Sequence, residues 1–260
     1  MIDLHHHCLP GLDEGPADLS DAVEQCRAAM REGIDTIVAT PHVLREPWLN
    51  VNPAEIDRRV LELNNALGGR PRILPGCEYW FGVEAAELAA QGASGPLVPL
   101  NRNGYLLVEF NPLDVPAQAR SALYEWTLIG LTPVIAHPER NRVFQENPER
   151  LAELAEIGCV IQLTASSLTG HYGTASQRAC HDLFRRGLAH LIATDAHSPL
   201  SRPPVLSRAR ELVKREWGQD AETGLFEANP EAVLAGERLP YAPAPAPLRS
   251  SLVSKIWEAI

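Results

Sequence analysis

Asp3-Leu4-His5-His6-His7 closes the first apolar run of the chain and is its first segment able to do chemistry. In an extended strand alternate side chains share a face, so His5 and His7 direct two imidazoles to one point. Five later runs end in the same manner. Thr40-Pro41-His42, Gly76-Cys77-Glu78, Glu109, Ala136-His137-Pro138 and Thr194-Asp195-Ala196-His197 each put His, Asp or Glu at the C-terminal end of an apolar stretch. A lone buried histidine is ordinarily a satisfied core residue, and a lone strand-end glutamate is ordinarily solvated. Eight such groups at one mouth would repel one another unless cations held them. Imidazole mixed with carboxylate, without thiolate, suits manganese, iron(II), cobalt or zinc better than a pure magnesium or calcium site. Two or more such ions lower the pKa of a shared water and clamp the oxygens of an in-line displacement. That is hydrolytic machinery, and the sequence holds no P-loop or GxGxxG to suggest another.

These residues need a scaffold whose strand ends meet. Short β-rich runs alternate with longer segments of helical period, the signature of repeated βα units. Strands are expected at Ile2–His5, Thr36–Thr40, Arg72–Cys77, Tyr105–Phe110, Pro133–Ala136, Val160–Leu163 and Leu191–Thr194. Most are too apolar to alternate, as befits parallel strands covered on both faces. The first helix, Leu19–Arg31, places Ala22, Val23, Cys26, Ala29 and Met30 on one face, and Gly33 closes it. Pro53 opens the second, striped by Ile56, Val60, Leu63 and Leu67. Others cover Ala117–Ile129, Pro148–Ile157, Ser176–Arg186 and Val205–Trp217. Strand ends surround one mouth in a barrel, which favours an α/β barrel over an open sheet.

Composition narrows the partners. At 260 residues, 45% apolar and 22% charged, the chain suits one globular domain with a single large core. A formal charge of −10 disfavours a nucleic-acid surface. No run of eighteen apolar residues is present to insert into a membrane, and MIDLHHHCLP has neither the basic nor the apolar region of a secretion signal. Five scattered cysteines without CxxC spacing fit a reducing compartment, so a cytoplasmic location is expected. Past Leu239 the character changes. Pro240–Pro247 reads as a stiff linker, and Leu252, Val253, Ile256, Trp257 and Ile260 recur at helical spacing. Residues 1–239 are therefore expected to form the barrel, and 240–260 a linker and either a short helix that docks on it or on a second copy in a homo-oligomer, or a frayed terminus.

MIDLHHHCLPGLDEGP, ATPH at Ala39–His42, CE at Cys77–Glu78, LLVEF at Leu106–Phe110, TPVIAHPER at Thr132–Arg140 and TDAH at Thr194–His197 resemble the PHP superfamily. Within it the chain is most similar to the bacterial manganese-dependent tyrosine phosphatases encoded with capsule and exopolysaccharide genes. The resemblance covers about residues 1–235. It implies a distorted seven-stranded (β/α) barrel of the PHP type with up to three divalent ions. Carried over, His5, His7, Glu78 and Asp195 hold the first ion, and Glu78 bridges to a second shared with Glu109 and His137. His42, His197 and Glu14 hold the third. Arg140 and Arg202 bind the phosphate. Where the family reads Asp-Asp-Gly, this chain has Asp13-Glu14-Gly15, which leaves Asp13 as an alternative to Glu14. The implied activity is hydrolysis of phosphotyrosine on a polysaccharide-biosynthesis tyrosine kinase by a metal-activated water.

Two other readings stand beside it. The same machinery would serve a small ester such as histidinol phosphate or a sugar phosphate. A non-catalytic metal-binding module that docks a kinase or polymerase is the third. Cys180 and Arg186 carry the C-x5-R spacing of thiol-based tyrosine phosphatases. That chemistry needs a glycine-rich phosphate loop, whereas these residues sit within a helical pattern.

Overall fold

The computed structural model describes residues 1–82, 84–91 and 95–245, so the helix expected within 252–260 lies outside the described residues. The chain begins β1 (Ile2–His6), α1 (Leu19–Arg31), β2 (Thr36–Ala39), β3 (His42–Val43), α2 (Pro53–Leu67), β4 (Arg72–Pro75) and β5 (Glu78–Trp80). It continues α3 (Ala85–Gln91), β6 (Tyr105–Glu109), α4 (Ala119–Leu128), β7 (Thr132–Ala136), α5 (Arg142–Glu146), α6 (Glu149–Glu156) and β8 (Val160–Thr164). The last elements are α7 (Ala165–Leu168), α8 (Gly173–Arg185), β9 (Leu191–Ala193), α9 (Ser207–Trp217), α10 (Gln219–Thr223) and α11 (Asn229–Ala235).

All strand pairs are parallel, in a three-stranded sheet β1-β2-β4 and a six-stranded sheet β3-β5-β6-β7-β8-β9. The expected seven strands are thus nine among the described residues, and no closed ladder runs through them. Both extra strands begin just past expected runs, His42–Val43 beyond Thr36–Thr40 and Glu78–Trp80 beyond Arg72–Cys77. Pro41 has no N–H to donate, so the second run leaves one sheet at Ala39 and resumes in the other at His42. The third breaks after Pro75 at Gly76, where a Cβ would lie 2.7 Å from Val38 Cγ1. There the chain passes too close to β2 for any side chain. Hydrogen bonds from Thr40 N to His6 O (3.0 Å) and from Glu78 N to Pro41 O (3.0 Å) span these breaks.

Helix boundaries follow local chemistry. Asp18 caps α1 by accepting from Asp21 N, and Asn52 caps α2 by accepting from Ala54 N, with Pro53 in its first turn. Gly68 ends α2 with φ +68°, a conformation that favours glycine. One expectation fails on α1: Met30 is 45% exposed, whereas Ala22, Gln25, Cys26 and Ala29 are buried. At about 100° per residue, Met30 lies at the rim of the stripe centred on Ala22, Cys26 and Ala29.

Alternation along the strands separates two cores. Leu106 and Val108 of β6, Ile135 of β7, and Ile161 and Leu163 of β8 pack outward with Leu123 and Trp126 of α4. Leu107, Val134, Val160 and Leu191 face the other way, in a second cluster with Leu4, Val38, Leu74 and Val233 of α11. Glu109 has the same parity as Leu107, so this inner cluster ends in a carboxylate at the strand tips. No helix among the described residues is long and apolar enough to cross a membrane.

Candidate metal centre

The strand-end side chains meet in one cluster. Four groups have all their ligand atoms within 4.8 Å of one another: His7, Glu14, His42 and His197; His5, His137 and Asp195; His5, His7 and Glu78; and His42, Glu78 and Glu109. Glu78 is central to it. Its Oε1 lies 3.3 Å from His5 Nε2 and 3.0 Å from His137 Nε2, and its Oε2 lies 3.3 Å from His7 Nε2 and 3.0 Å from His42 Nδ1. The Nε2 atoms of His5 and His7 are 3.2 Å apart. All nine residues named from the sequence as candidate ligands are therefore brought together.

Local structure aims them. A register shift between Asp3 and His6 breaks the alternation of β1, so that Leu4 faces the inner core while His5 and His7 both face the mouth. His5 Nδ1 is 2.9 Å from Gln162 Oε1, and His7 Nδ1 is 2.7 Å from Asp13 Oδ2. Such partners fix the ring and leave Nε2 pointing inward. His137 and Asp195 are held at φ +34° and +52°. Non-glycine residues tolerate that backbone only where their surroundings impose it, and it re-aims both side chains past their strand ends.

The electrostatics test whether cations fit. Burial pushes Glu78 up, yet the charges of His5 and His42, with the hydrogen bond from His137, leave it well below the usual carboxylate range. Burial and the neighbouring Glu78 charge push Glu109 up to about 7. Burial lowers His137 and His197 to about 4, so both are neutral near pH 7 with a lone pair to offer. Buried Glu78 Oε2, Glu109 Oε2, His42 Nδ1 and His197 Nε2 have no hydrogen-bond partner. Unpartnered acceptors around one point are costly without positive charge among them. This set of imidazoles and carboxylates fits divalent ions.

The two arginines named from the sequence reach the same rim. Arg140 Nη2 and Arg202 Nη2 each lie 2.5 Å from Asp195 Oδ2, and Arg140 also donates to Thr164 Oγ1. Tyr172 covers Arg140, whose Cζ is 4.3 Å from the ring centre. The Nε of each arginine is buried without a hydrogen-bond partner, that of Arg140 lying 3.7 Å from Glu139 Oε1. Sequence reasoning missed Gln162, whose only signal is a polar residue inside the apolar run Val160–Thr164. It also missed Arg45, whose Nη1 is 3.1 Å from Glu14 Oε1, because nothing in its neighbours marks it.

Residues 1–235 match the family model for capsular polysaccharide synthesis, CpsB/CapC. The chain belongs to the CpsB/CapC family. It is 37% identical over 253 residues to the tyrosine-protein phosphatase YwqE of Bacillus subtilis strain 168, covering 96% of this chain and 97% of that protein. The tyrosine-protein phosphatase CpsB of Streptococcus pneumoniae is 29% identical over 244 residues, covering 90% and 98%. A solved structure described as YwqE and CpsB, "unique metal-dependent tyrosine phosphatases", matches with a TM-score of 0.87 at 36% identity, over 96% of this chain and 100% of that one. Organophosphorus hydrolase from Deinococcus radiodurans matches at a TM-score of 0.52 and 17% identity over 90% of this chain and 91% of that one, a likeness of fold alone.

In this CpsB/CapC chain the roles of Asp13 and Glu14 separate geometrically. Glu14 Oε1 lies 3.1 Å from His42 Nε2 and 3.4 Å from His197 Nε2, facing the cluster. Asp13 is spent behind it, bound to His7 Nδ1, Gly15 N (3.0 Å) and His42 N (3.2 Å). Glu14→Ala is expected to release one ion and spare the others. Asp13→Ala should keep every ligand and weaken affinity by roughly 10–100-fold, the cost of removing an outer partner. Elemental analysis across a chelator titration separates them, and complete ion loss from Asp13→Ala alone would reverse the assignment.

Proposed function

We propose that this protein is a metal-dependent protein-tyrosine phosphatase that removes phosphate from a cytoplasmic, tyrosine-phosphorylated kinase of polysaccharide synthesis. The observation that carries it is the pairing of a cluster of histidines and carboxylates able to hold divalent ions with two arginines that share Asp195 at its edge. A metal store has no use for such forks, whereas a phosphoryl group has three equatorial oxygens to be met. Manganese is the proposed ion, in up to three sites. The two sheets are taken as parts of one distorted seven-stranded barrel of the PHP type within residues 1–239. Support comes from the bonds Asp195 N to His5 O and His7 N to Ala196 O, both 2.9 Å, which join the start of the chain to the end of β9.

Ions held by these ligands would polarise the phosphoryl oxygens and activate a water for in-line attack. The chain's own residues do the rest. Arg140 and Arg202 orient the phosphate and meet the charge that builds on its outer oxygens. Asp195 fixes the two guanidinium groups against each other, and Tyr172 shields Arg140 from solvent on one face. A phenolate leaves more readily than an alkoxide, so an arrangement dominated by electrostatics suits a phosphotyrosyl ester.

The test is turnover of a phosphotyrosyl peptide by chelated protein, before and after manganese is restored, beside histidinol phosphate and a sugar phosphate. Metal-dependent hydrolysis favouring the peptide is expected. Preference for a small ester, or no hydrolysis after manganese returns, would sink the proposal.

The thiol route predicts a different outcome. Cys180 is fully buried inside α8, and burial raises its thiol well above the usual range, so no nucleophilic thiolate forms there. Cys180→Ser is expected to keep turnover within about twofold, with stability lowered by about 1 kcal/mol for a hydroxyl in an apolar site. Steady-state kinetics with metal analysis checks it.

A further inference from the structure

The mouth carries a second feature that neither the ion cluster nor the core uses. The chain after β3 turns tightly, with Leu44 N donating to Leu49 O (2.8 Å) and Arg45 N to Trp48 O (3.3 Å). Asn50 Nδ2 pins this turn to the mouth through Leu12 O and His42 O, each at 2.7 Å. Trp80 stands two residues beyond Glu78 on β5, on the same face, and is paired in register with Glu109. Between the two indoles lies Arg45, its Cζ 5.2 Å from the centre of the Trp80 ring and 5.7 Å from that of Trp48. Trp48 in turn lies nearly parallel to the His42 ring, at 23° and 6.0 Å between centres.

Neither indole belongs to either hydrophobic core, unlike Trp126 and Trp217, and both are partly exposed. Two large aromatic faces beside a charged mouth do not serve folding, because their apolar area stays partly in water. They suit a flat, apolar ligand that arrives attached to a charged group. The phosphate arginines engage Asp195, while Arg45 engages Glu14 and lies 3.8 Å from Glu109. The stacked trio therefore flanks the opposite carboxylates of the cluster, where the organic part of a bound phosphate ester would emerge. Guanidinium and indole planes both stack on π systems, and offer an alkyl chain much less.

We infer that Trp48, Arg45 and Trp80 form the leaving-group subsite, stacking on the aryl ring of the ester and setting a preference for aryl over alkyl phosphate monoesters. This rests on the phosphatase reading for its substrate, but it is tested through binding. Manganese-loaded full-length protein is titrated by calorimetry with phenylphosphonate and with methylphosphonate, neither of which can be hydrolysed as an ester. Wild-type protein binds phenylphosphonate more tightly, and Trp48→Ala and Trp80→Ala each shrink that preference by about fivefold, within the range measured for one aromatic pair. Trp48→Phe and Trp80→Phe, which keep an aromatic face, restore most of it. A purely structural role would weaken both phosphonates equally. Metal content measured on the same samples separates loss of the wall from loss of ions. No preference in wild-type protein, or a preference that survives both alanine variants, overturns the subsite. A preference lost as expected in protein that hydrolyses no phosphotyrosyl peptide upholds the subsite and removes the phosphatase reading.

Discussion

Glu78→Ala is expected to lose bound metal and turnover together, and by more than any other single ligand change. The carboxylate is 1% exposed and lies within 3.0–3.3 Å of ring nitrogens from His5, His7, His42 and His137. It is the one acid shared by two of the candidate ion groups. A terminal ligand such as His197 serves one position, whereas a bridging carboxylate neutralises charge on two ions and sets their spacing. Outer partners alone are worth roughly 10–100-fold in metal affinity, so loss of the bridge should exceed that range. Elemental analysis of the purified variant against wild type is the measurement. A full complement of metal in Glu78→Ala would show that the bridge is elsewhere.

Arg140→Lys and Arg202→Lys are expected to do the reverse, keeping the metal and losing turnover by roughly 10²-fold or more, as when one transition-state donor is removed. Each fork spends one nitrogen on Asp195 Oδ2 and still carries donors for a phosphate. Lysine keeps the charge, and so keeps Asp195 partly compensated, but it cannot hold the carboxylate and the phosphate in one plane. The loss should therefore fall mainly on kcat, since the missing contact strengthens as charge builds on the equatorial oxygens. Were these arginines ordinary surface charges, the substitutions would be nearly silent. Steady-state kinetics with metal analysis distinguishes the two, and near-wild-type turnover in both variants would remove the phosphate role.

Much of this was legible before any coordinates, for a reason visible at Glu109 and His137. A charged or imidazole side chain at the end of an apolar strand interrupts an otherwise uniform pattern, and its position along the strand is set by that strand's register. Helices α1 and α2 were legible because the stripes of Ala22, Cys26 and Ala29 and of Ile56, Val60 and Leu63 repeat within a few residues, and Gly33 and Pro53 act within one turn of themselves. What escaped depends on contacts between distant segments. Gln162 matters only because β8 lies beside His5, and Trp80 only because a turn far earlier in the chain delivers Arg45 to it. The strand breaks escaped because periodicity registers an apolar run at Arg72–Cys77 and cannot register that Val38 leaves no room beside Gly76. Met30 was misplaced because a stripe has an edge, and one residue at 100° decides which side it falls on.

The breaks at Pro41 and Gly76 also divide the labour of the molecule. The strands β1, β2 and β4 are laddered to one another, while His42 and Glu78 open strands of the other sheet and take their register from it. The mouth nevertheless draws on both ladders, because β1 brings His5 from the three-stranded sheet and is tied to the far end of the other by the bonds Asp195 N to His5 O and His7 N to Ala196 O. Strain in the three-stranded sheet therefore reaches the ligands directly through β1, and through the core that Leu4, Val38 and Leu74 share with Leu107, Val134 and Leu191. Val38→Ala and Leu74→Ala should lower the melting temperature, as large-to-small core substitutions do, and weaken metal affinity in the same samples.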